Sequence, residues 1–427
     1  MKFWYKFLFL SVFVLAFTGC EKDDDVVNDD DDDETPYALS HSKDLTTDDG
    51  KVTQLQKHKV GKGVPIVILG DGFLDKDIRK GDFRDATTSA IDAIFSVHPL
   101  KSLRDYFDVY EVTAVSYNNT NLMALVEDST NYNTAFNVME IEEMGGGALT
   151  TKLTMGNSEK IIKYAEKAVN RNRIDDMTII MLVNDFSSSR AFAIYYTANS
   201  EDRDIPTGCG IAYVPLEDIM KHSPLQDIMT PNDEGISRTS FGRTLLHEFG
   251  HAFAKLADEY VEEERKWKDI SSGMDYLMWL QKTGYNRNVS VFGDVKYTYW
   301  ADFAADSRYD FEKLGCYEGG EYQDIGVFRA TENSIMRGSI FNYHNYNAIA
   351  RVMIYKRCMN IALGDSWKFN YEDFVKFDLE KAKAEHEEIE KLYQKYNLDY
   401  HSTSKCLGAP PRFVDSVIRS RAIKTTK

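Results

Sequence analysis

Proline and cysteine are scarce in this 427-residue sequence, and basic residues are outnumbered by acidic ones. Nine prolines are spread without any Pro/Gly/Ser-rich linker between residues 55 and 370, so one continuous domain is expected there. None of the five cysteines has a C-x-x-C spacing, which argues against a cysteine metal site. Acidic side chains outnumber basic ones by 68 to 51, so the basic footprint of a nucleic-acid binder is missing. No internal repeat is visible. A hydrophobic content of 43% supports a large core and excludes a disordered chain.

Acidic residues are concentrated near the N-terminus. Residues 21–34 read EKDDDVVNDDDDDE, which is ten acidic side chains and one lysine. Because like charges repel and nothing in this run could pack, we expect a solvated, disordered tether over residues 20–54. The run lacks the alternating ligands and turn glycine of a calcium loop, so a calcium site is not expected.

The first 19 residues are typical of an export signal. Lys2 and Lys6 form a basic end, and residues 7–17 form an apolar run too short to span a bilayer. The Thr-Gly-Cys that follows resembles a bacterial lipobox, which implies lipidation of Cys20. The alternative is an ordinary cleaved signal peptide with an incidental cysteine. Lys22 and the three aspartates after it resemble a surface-export tag of Gram-negative lipoproteins, which implies an outer-membrane anchor on the periplasmic or the outer face.

Short apolar runs alternate with amphipathic stretches in the rest of the chain. Buried strands are predicted over residues 63–72, 107–116 and 177–184, with a short edge strand over residues 210–214. Helices are predicted over residues 75–95 and 157–169. This alternation favours an α/β (α+β) fold with a mixed central sheet. Residues 371–427 are predicted to form a C-terminal helix, over 371–396, and a tail.

Four cysteines follow Cys20, namely Cys209, Cys316, Cys358 and Cys406. In an exported protein, an even number permits two disulfides with three possible pairings. Free buried thiols are the alternative.

The residues that indicate a chemistry lie in FGRTLLHEFGHAFAKLADEY, residues 241–260, which contains H-E-x-x-H. A spacing of four places His247 and His251 one above the other on a helix, as a shared zinc ion requires. Glu248 then projects about 100° round the helix and is able to act as general base and acid on a metal-activated water. The opposite helix face is apolar, as expected of a helix under an active site; its residues are Leu245, Phe249, Ala252, Phe253 and Leu256. The alternative is a surface helix carrying two solvated histidines.

HEFGHAFAKLADEY also resembles the signature of the IgA-peptidase family of zinc metallopeptidases, H-E-F-G-H followed by L-x-D-E-Y. RATENSIMR, residues 329–337, is similar to the Met-turn of metzincin-type peptidases, which implies that Met336 lies beneath the metal. GDGF at residues 70–73 and CYEGG at residues 316–320 also resemble stretches of that family. The resemblance covers roughly residues 60–365. It implies a metzincin-like zincin domain, a Zn²⁺ cofactor, and pairing of an extended peptide along residues 210–214.

The third metal ligand is less clear from the sequence. Metzincins place a ligand six residues after the second histidine, where this chain has Ala257. Asp258 follows, but continued as a helix it would lie about 10 Å along the axis from His251. It is able to ligate only if the helix ends near Lys255 and the chain turns back. We therefore expect Asp258 as the third ligand, with Glu259 as the next candidate and Glu318 as a remote one.

Other polar side chains are weaker candidates for the site. Tyr260, Tyr317 and Tyr343 are each able to donate a hydrogen bond to an oxyanion, and His344 could line the cleft. The chain has 25 tyrosines, so none of the three stands out.

Together these observations predict an exported, lipid-anchored zinc endopeptidase whose catalytic domain spans residues 55–370. Its expected partners are a protein or peptide substrate and, through Cys20, a membrane. Immunoglobulin-like and other host proteins are substrates that the family resemblance suggests. Two alternatives stay open: a zinc amidohydrolase acting on peptide or amide links of the cell wall, and a non-catalytic surface binding protein on a peptidase scaffold. The substrate and the oligomeric state do not follow from the sequence.

Overall fold

The computed structural model describes residues 40–119, 133–144, 150–185, 191–196, 202–216, 240–337, 345–396 and 408–414. The predicted export signal, Cys20 and the acidic run lie outside these residues, as do Tyr343, His344 and Cys406. In the described part of the chain, no helix has both the length and the apolar character needed to cross a membrane.

The strands in chain order are β1 (Val52–Gln56), β2 (Val64–Asp71), β3 (Phe107–Val112), β4 (Met139–Met144), β5 (Thr150–Met155), β6 (Thr178–Val183), β7 (Ala191–Tyr196), β8 (Gly210–Pro215), β9 (Val289–Ser290), β10 (Tyr317–Gly320), β11 (Gln323–Arg329) and β12 (Gly408–Val414). Seven of them form a central sheet in the order β1-β3-β2-β6-β8-β7-β12. Strands β3, β2, β6 and β8 run parallel, whereas β1 and β7 are antiparallel to β3 and β8. The sheet is therefore mixed, as predicted.

The remaining strands form two small sheets. Strands β4 and β5 make an antiparallel pair, and β10, β11 and β9 make a three-stranded sheet.

The three predicted buried strands are confirmed as β2, β3 and β6, although β3 ends four residues before the predicted end. The prediction of an edge strand over residues 210–214 is wrong. Strand β8 pairs with β6 on one side and with β7 on the other, so its backbone groups are already hydrogen-bonded to neighbours. It therefore offers no free edge along which a peptide could pair.

The helices are α1 (Asp75–Lys80), α2 (Asp82–Ile94), α3 (Leu100–Leu103), α4 (Ser158–Ala165), α5 (Ser240–Ala254), α6 (Ile270–Lys282), α7 (Ala301–Ala305), α8 (Ala348–Leu363) and α9 (Tyr371–Tyr396). The bounds of α9 are those predicted. The single helix predicted over residues 75–95 is two helices, because Gly81 adopts a φ of 96° and ends α1 with a left-handed cap.

The central sheet is covered on both faces. Along β2, Val64, Ile66 and Ile68 face a core that includes α2, α5 and α8. Val67 and Leu69 face the opposite core, which includes α4. A strand buried on both faces reads as a continuous apolar run, which is why β2 was recognisable from its sequence. The structure is thus mixed α/β with a central mixed sheet.

Residues 40–54, which the sequence assigns to the tether, contact the folded body. The Ser42 hydroxyl is buried and donates a hydrogen bond to the carbonyl of Ser116 at 2.6 Å. Strand β1 begins at Val52 and pairs with β3. The folded body therefore begins before the predicted boundary at residue 55. The sequence did not indicate this, because neither Ser42 nor the start of β1 carries a strong apolar signal.

Candidate metal centre

The H-E-x-x-H residues lie on α5, which packs against the central sheet. Leu245, Phe249, Ala252 and Phe253 of this helix are fully buried in the core, as the apolar face predicts. Gly210 of β8 lies so close to the helix that a Cβ atom there would be 2.1 Å from the carbonyl oxygen of Ala252. His247, Glu248 and His251 are all 0% exposed, so the solvated surface helix considered as an alternative is excluded.

The chain reverses immediately after α5. The helix ends at Ala254, and Lys255 adopts a left-handed φ of 56°. The backbone N–H of Lys255 donates to the carbonyl of His251, which is the single 5→1 bond of an αL cap, and that of Leu256 donates to the carbonyl of Gly250. This is the reversal that Asp258 needs in order to approach the histidines.

Asp258 joins the two histidines in one buried cluster. Its Oδ1 atom lies 2.9 Å from His247 Nε2 and 3.2 Å from His251 Nε2, and the two Nε2 atoms are 3.0 Å apart. In the described part of the chain, these three residues are the one group of His, Cys, Asp or Glu side chains with the spacing of a metal site.

Backbone carbonyls orient both imidazole rings. The Nδ1 atom of His247 lies 2.9 Å from the carbonyl oxygen of Ile335, and that of His251 lies 2.7 Å from the carbonyl oxygen of Leu256. A carbonyl only accepts, so each Nδ1 carries the proton of its ring. Both Nε2 atoms are directed to the centre of the cluster, where each is a lone-pair donor when its ring is neutral.

The cluster is also electrostatically coupled. Burial opposes ionisation of Asp258, but the two histidines outweigh it and hold the pKa of this carboxyl well below its usual range. Burial likewise lowers the pKa of His247, but the hydrogen bond and charge of Asp258, together with the charge of Glu248, raise it overall to about 9. The pocket thus attracts positive charge.

Glu259, the alternative ligand, faces away from the cluster. Its carboxylate accepts hydrogen bonds from Ser334 Oγ at 2.6 Å, Asn288 Nδ2 at 2.9 Å and Asn347 Nδ2 at 3.2 Å. Its backbone N–H donates to the carbonyl of Met336 at 2.9 Å. Glu259 therefore ties the segment after α5 to the turn at residues 331–337.

Met336 lies in that turn, directly against the helix. Its side chain is fully buried, and a Cβ atom on Gly250 would be 2.7 Å from its Sδ atom. The preceding Ile335 supplies the carbonyl that orients His247. The turn thus lies beside the histidines, and glycine at position 250 permits its close approach.

The other sequence candidates are more distant or structural. Glu318 is exposed, and its carboxylate accepts a hydrogen bond from the backbone of Gly326, so it is not brought to the cluster. The Tyr317 hydroxyl donates to the carbonyl of Lys313. Tyr260 is buried, with its ring stacked on His247 at 6.3 Å between ring centres.

Of the two alternatives left open for the cysteines, disulfides or free thiols, the described cysteines show free thiols. Cys209, Cys316 and Cys358 are unbridged, which rules out two bridges among the four. Burial raises the pKa of the Cys209 thiol to about 12, so it stays protonated.

Two residues beside the cluster were missed by the sequence reasoning. The Tyr322 hydroxyl donates to Asp258 Oδ2 at 2.5 Å, and the backbone N–H of Glu321 donates to the carbonyl of Asp258 at 2.9 Å. Burial and the charge of Asp258 raise the pKa of Glu321 to about 8. Both residues directly follow the CYEGG stretch, which was the one available signal.

Comparison with known proteins adds no family assignment. No family model matches the chain, and no curated protein matches it.

Proposed function

We propose that this chain is a zinc-dependent endopeptidase with Glu248 as general base and acid. The observation that carries the proposal is the buried group of two histidines and one aspartate, with a glutamate next to the first histidine on the same helix. Two imidazoles and one carboxylate make up the ligand set of many catalytic zinc sites, which leaves a position open for water or substrate.

The residues present fit a zinc ion. Two ligands of a tetrahedral zinc ion, each roughly 2.0–2.1 Å from it, are about 3.3 Å apart. The three separations between the donor atoms of His247, His251 and Asp258 are 2.9, 3.0 and 3.2 Å. The rings are already held in the tautomer that ligation requires. When bound, zinc supplies Lewis-acid activation of a water and of the scissile carbonyl.

Glu248 is the residue that would transfer the proton. Its carboxylate accepts the proton of the attacking water and then delivers it to the nitrogen of the leaving amine. Full burial strengthens its electrostatic interactions, since little bulk water screens the site. Backbone carbonyls of Ile335 and Leu256 hold the imidazole rings of His247 and His251 in place. Little reorganisation of these side chains is therefore needed during the reaction.

We also propose that the protein is exported and anchored to a membrane through lipid on Cys20, as the N-terminal sequence suggests. Mass spectrometry of the mature N-terminus tests this. The proposal would be refuted if Cys20 carried no lipid and the signal were either uncleaved or cleaved at another position.

The test of the enzymatic proposal uses the purified full-length protein, its Glu248→Gln variant, and two substrate panels. We expect one zinc per chain in both proteins, cleavage of a proteome-derived peptide library by the wild type, and at least a 100-fold lower rate for Glu248→Gln. Hydrolysis of cell-wall muropeptides alone would replace the endopeptidase with an amidohydrolase. Absence of zinc together with absence of hydrolysis would refute both and favour the binding protein.

A further inference from the structure

The hairpin that joins β10 and β11 makes an unusual turn beside the metal centre. Gly320 pairs with Gln323, so Glu321 and Tyr322 alone form the loop. Both have positive φ, 45° and 66°. A two-residue hairpin loop of this kind favours Asn-Gly, because most side chains are strained at positive φ. A glutamate and a tyrosine there cost on the order of 1 kcal/mol each.

Contacts with the segment after α5 maintain this strained turn. The backbone N–H of Glu321 donates to Asp258 at 2.9 Å, and that of Tyr322 donates to Tyr260 at 3.0 Å. The N–H of Glu262 donates back to Tyr322 at 3.2 Å. The turn and the ligand-bearing segment are therefore paired backbone to backbone, and each fixes the position of the other.

The phenol of Tyr322 is confined by its neighbours. The side chain is 8% exposed, the Tyr260 ring meets it edge-on at 5.7 Å, and the guanidinium of Arg265 lies 5.8 Å from its centre. Its hydroxyl donates a hydrogen bond to Asp258 Oδ2, while Oδ1 of the same carboxylate faces both imidazoles. The two oxygens of this carboxylate thus have different, complementary roles.

We propose that Tyr322 is a positioning residue, which holds Asp258 so that only Oδ1 is presented to a metal ion. This inference rests on the proposed function. The strained turn places the Tyr322 hydroxyl on Oδ2 of Asp258, and strain of this kind persists where it serves a functional geometry. Outer hydrogen-bond partners of this kind typically contribute 10–100-fold to metal affinity.

The experiment compares the full-length protein with Tyr322→Phe and with Tyr297→Phe as the control. Tyr297 is 61% exposed and its ring packs against Phe292, so it is a tyrosine outside the cluster. Zinc dissociation constants are measured by competition with a chromophoric chelator, and the visible spectrum of the cobalt(II)-loaded protein reports the coordination geometry. We expect 10–100-fold weaker zinc binding and an altered cobalt spectrum for Tyr322→Phe, and neither change for Tyr297→Phe.

A Tyr322→Phe variant with wild-type zinc affinity and cobalt spectrum would overturn the inference and leave the proposed function intact. Failure of the wild type to bind either metal would overturn both. Should Tyr322→Phe fold poorly, the rise in Tm that a fixed concentration of zinc produces is measured for the variant and for the wild type, since a ligand of the folded state raises Tm according to its affinity. The inference expects a smaller rise for Tyr322→Phe, and an equal rise in both proteins would contradict it.

Discussion

The neighbouring acids Asp258 and Glu259 allow a sharp test of the site. The carboxylate of Asp258 lies in the metal cluster, whereas that of Glu259 binds the turn at residues 331–337. Asp258→Asn and Glu259→Gln each remove one buried negative charge and keep the size of the side chain. We expect Asp258→Asn to lose zinc, with affinity falling at least 100-fold, since it replaces a charged donor in the cluster. We expect Glu259→Gln to retain one zinc per chain, because its carboxylate faces the turn at residues 331–337.

The cost of Glu259→Gln follows from its hydrogen bonds. Ser334, Asn288 and Asn347 all donate to the carboxylate, and a glutamine amide turns its NH₂ group toward at least one of these donors. A hydrogen bond to a charged group contributes about 1.5–3 kcal/mol, so we expect unfolding to become easier by about 2–4 kcal/mol. That corresponds to a fall in Tm of roughly 3–5 °C for a folded body of this size.

Two measurements decide the comparison: metal content by elemental analysis after dialysis, and thermal unfolding by calorimetry. The reasoning is refuted if Glu259→Gln loses zinc while Asp258→Asn keeps it. It is equally refuted if Glu259→Gln unfolds at the wild-type temperature, because the hydrogen bonds would then contribute nothing.

Two further predictions concern buried positions of the folded body. Gly210→Ala should destabilise the protein by about 3 kcal/mol, because the added Cβ would meet the backbone of α5. Gly315→Ala is the control and should unfold like the wild type, because its Cβ would lie 3.5 Å from the nearest atom. Equal unfolding temperatures for the two variants would contradict this. Asp378 is buried, and although burial opposes its ionisation, Arg351 and His98 hold its pKa well below the usual value. The folded pKa is the lower one, so this stability is present above the unfolded pKa of about 3.9 and is lost as pH falls below it. Urea unfolding between pH 7 and pH 3 should show a weaker dependence on pH for Asp378→Asn, with a loss of about 3–5 kcal/mol at pH 7; identical pH slopes would refute it.

Local sequence patterns predicted those strands and helices whose apolar and polar positions follow a regular period. Strands β2 and β6 were recognisable because their side chains are apolar on both faces. Helix α9 was recognisable because its charged and apolar positions follow the helical period over 26 residues. The break at Gly81 was missed, since a glycine inside an amphipathic stretch is compatible with either one helix or two.

The edge-strand prediction failed for a different reason. The sequence GIAYV shows that residues 210–214 suit a strand, but nothing local says which strands will flank it. Strand β7 pairs with β8 and removes the edge. Pairing partners come from distant parts of the chain, so the position of a strand within a sheet is a tertiary property.

The sequence by itself determined the helix that carries His247, Glu248 and His251, because a spacing of four residues on a helix dictates which side chains share a face. It also identified Asp258 as a candidate, with the condition that the helix end near Lys255. Only the tertiary structure decided that the chain reverses there, that Glu259 turns to Ser334 and that Tyr322, 64 residues from Asp258, binds its second oxygen. Helical spacing acts over one or two turns, whereas the contacts that orient a ligand join residues distant in the chain, which meet only when the whole core has packed.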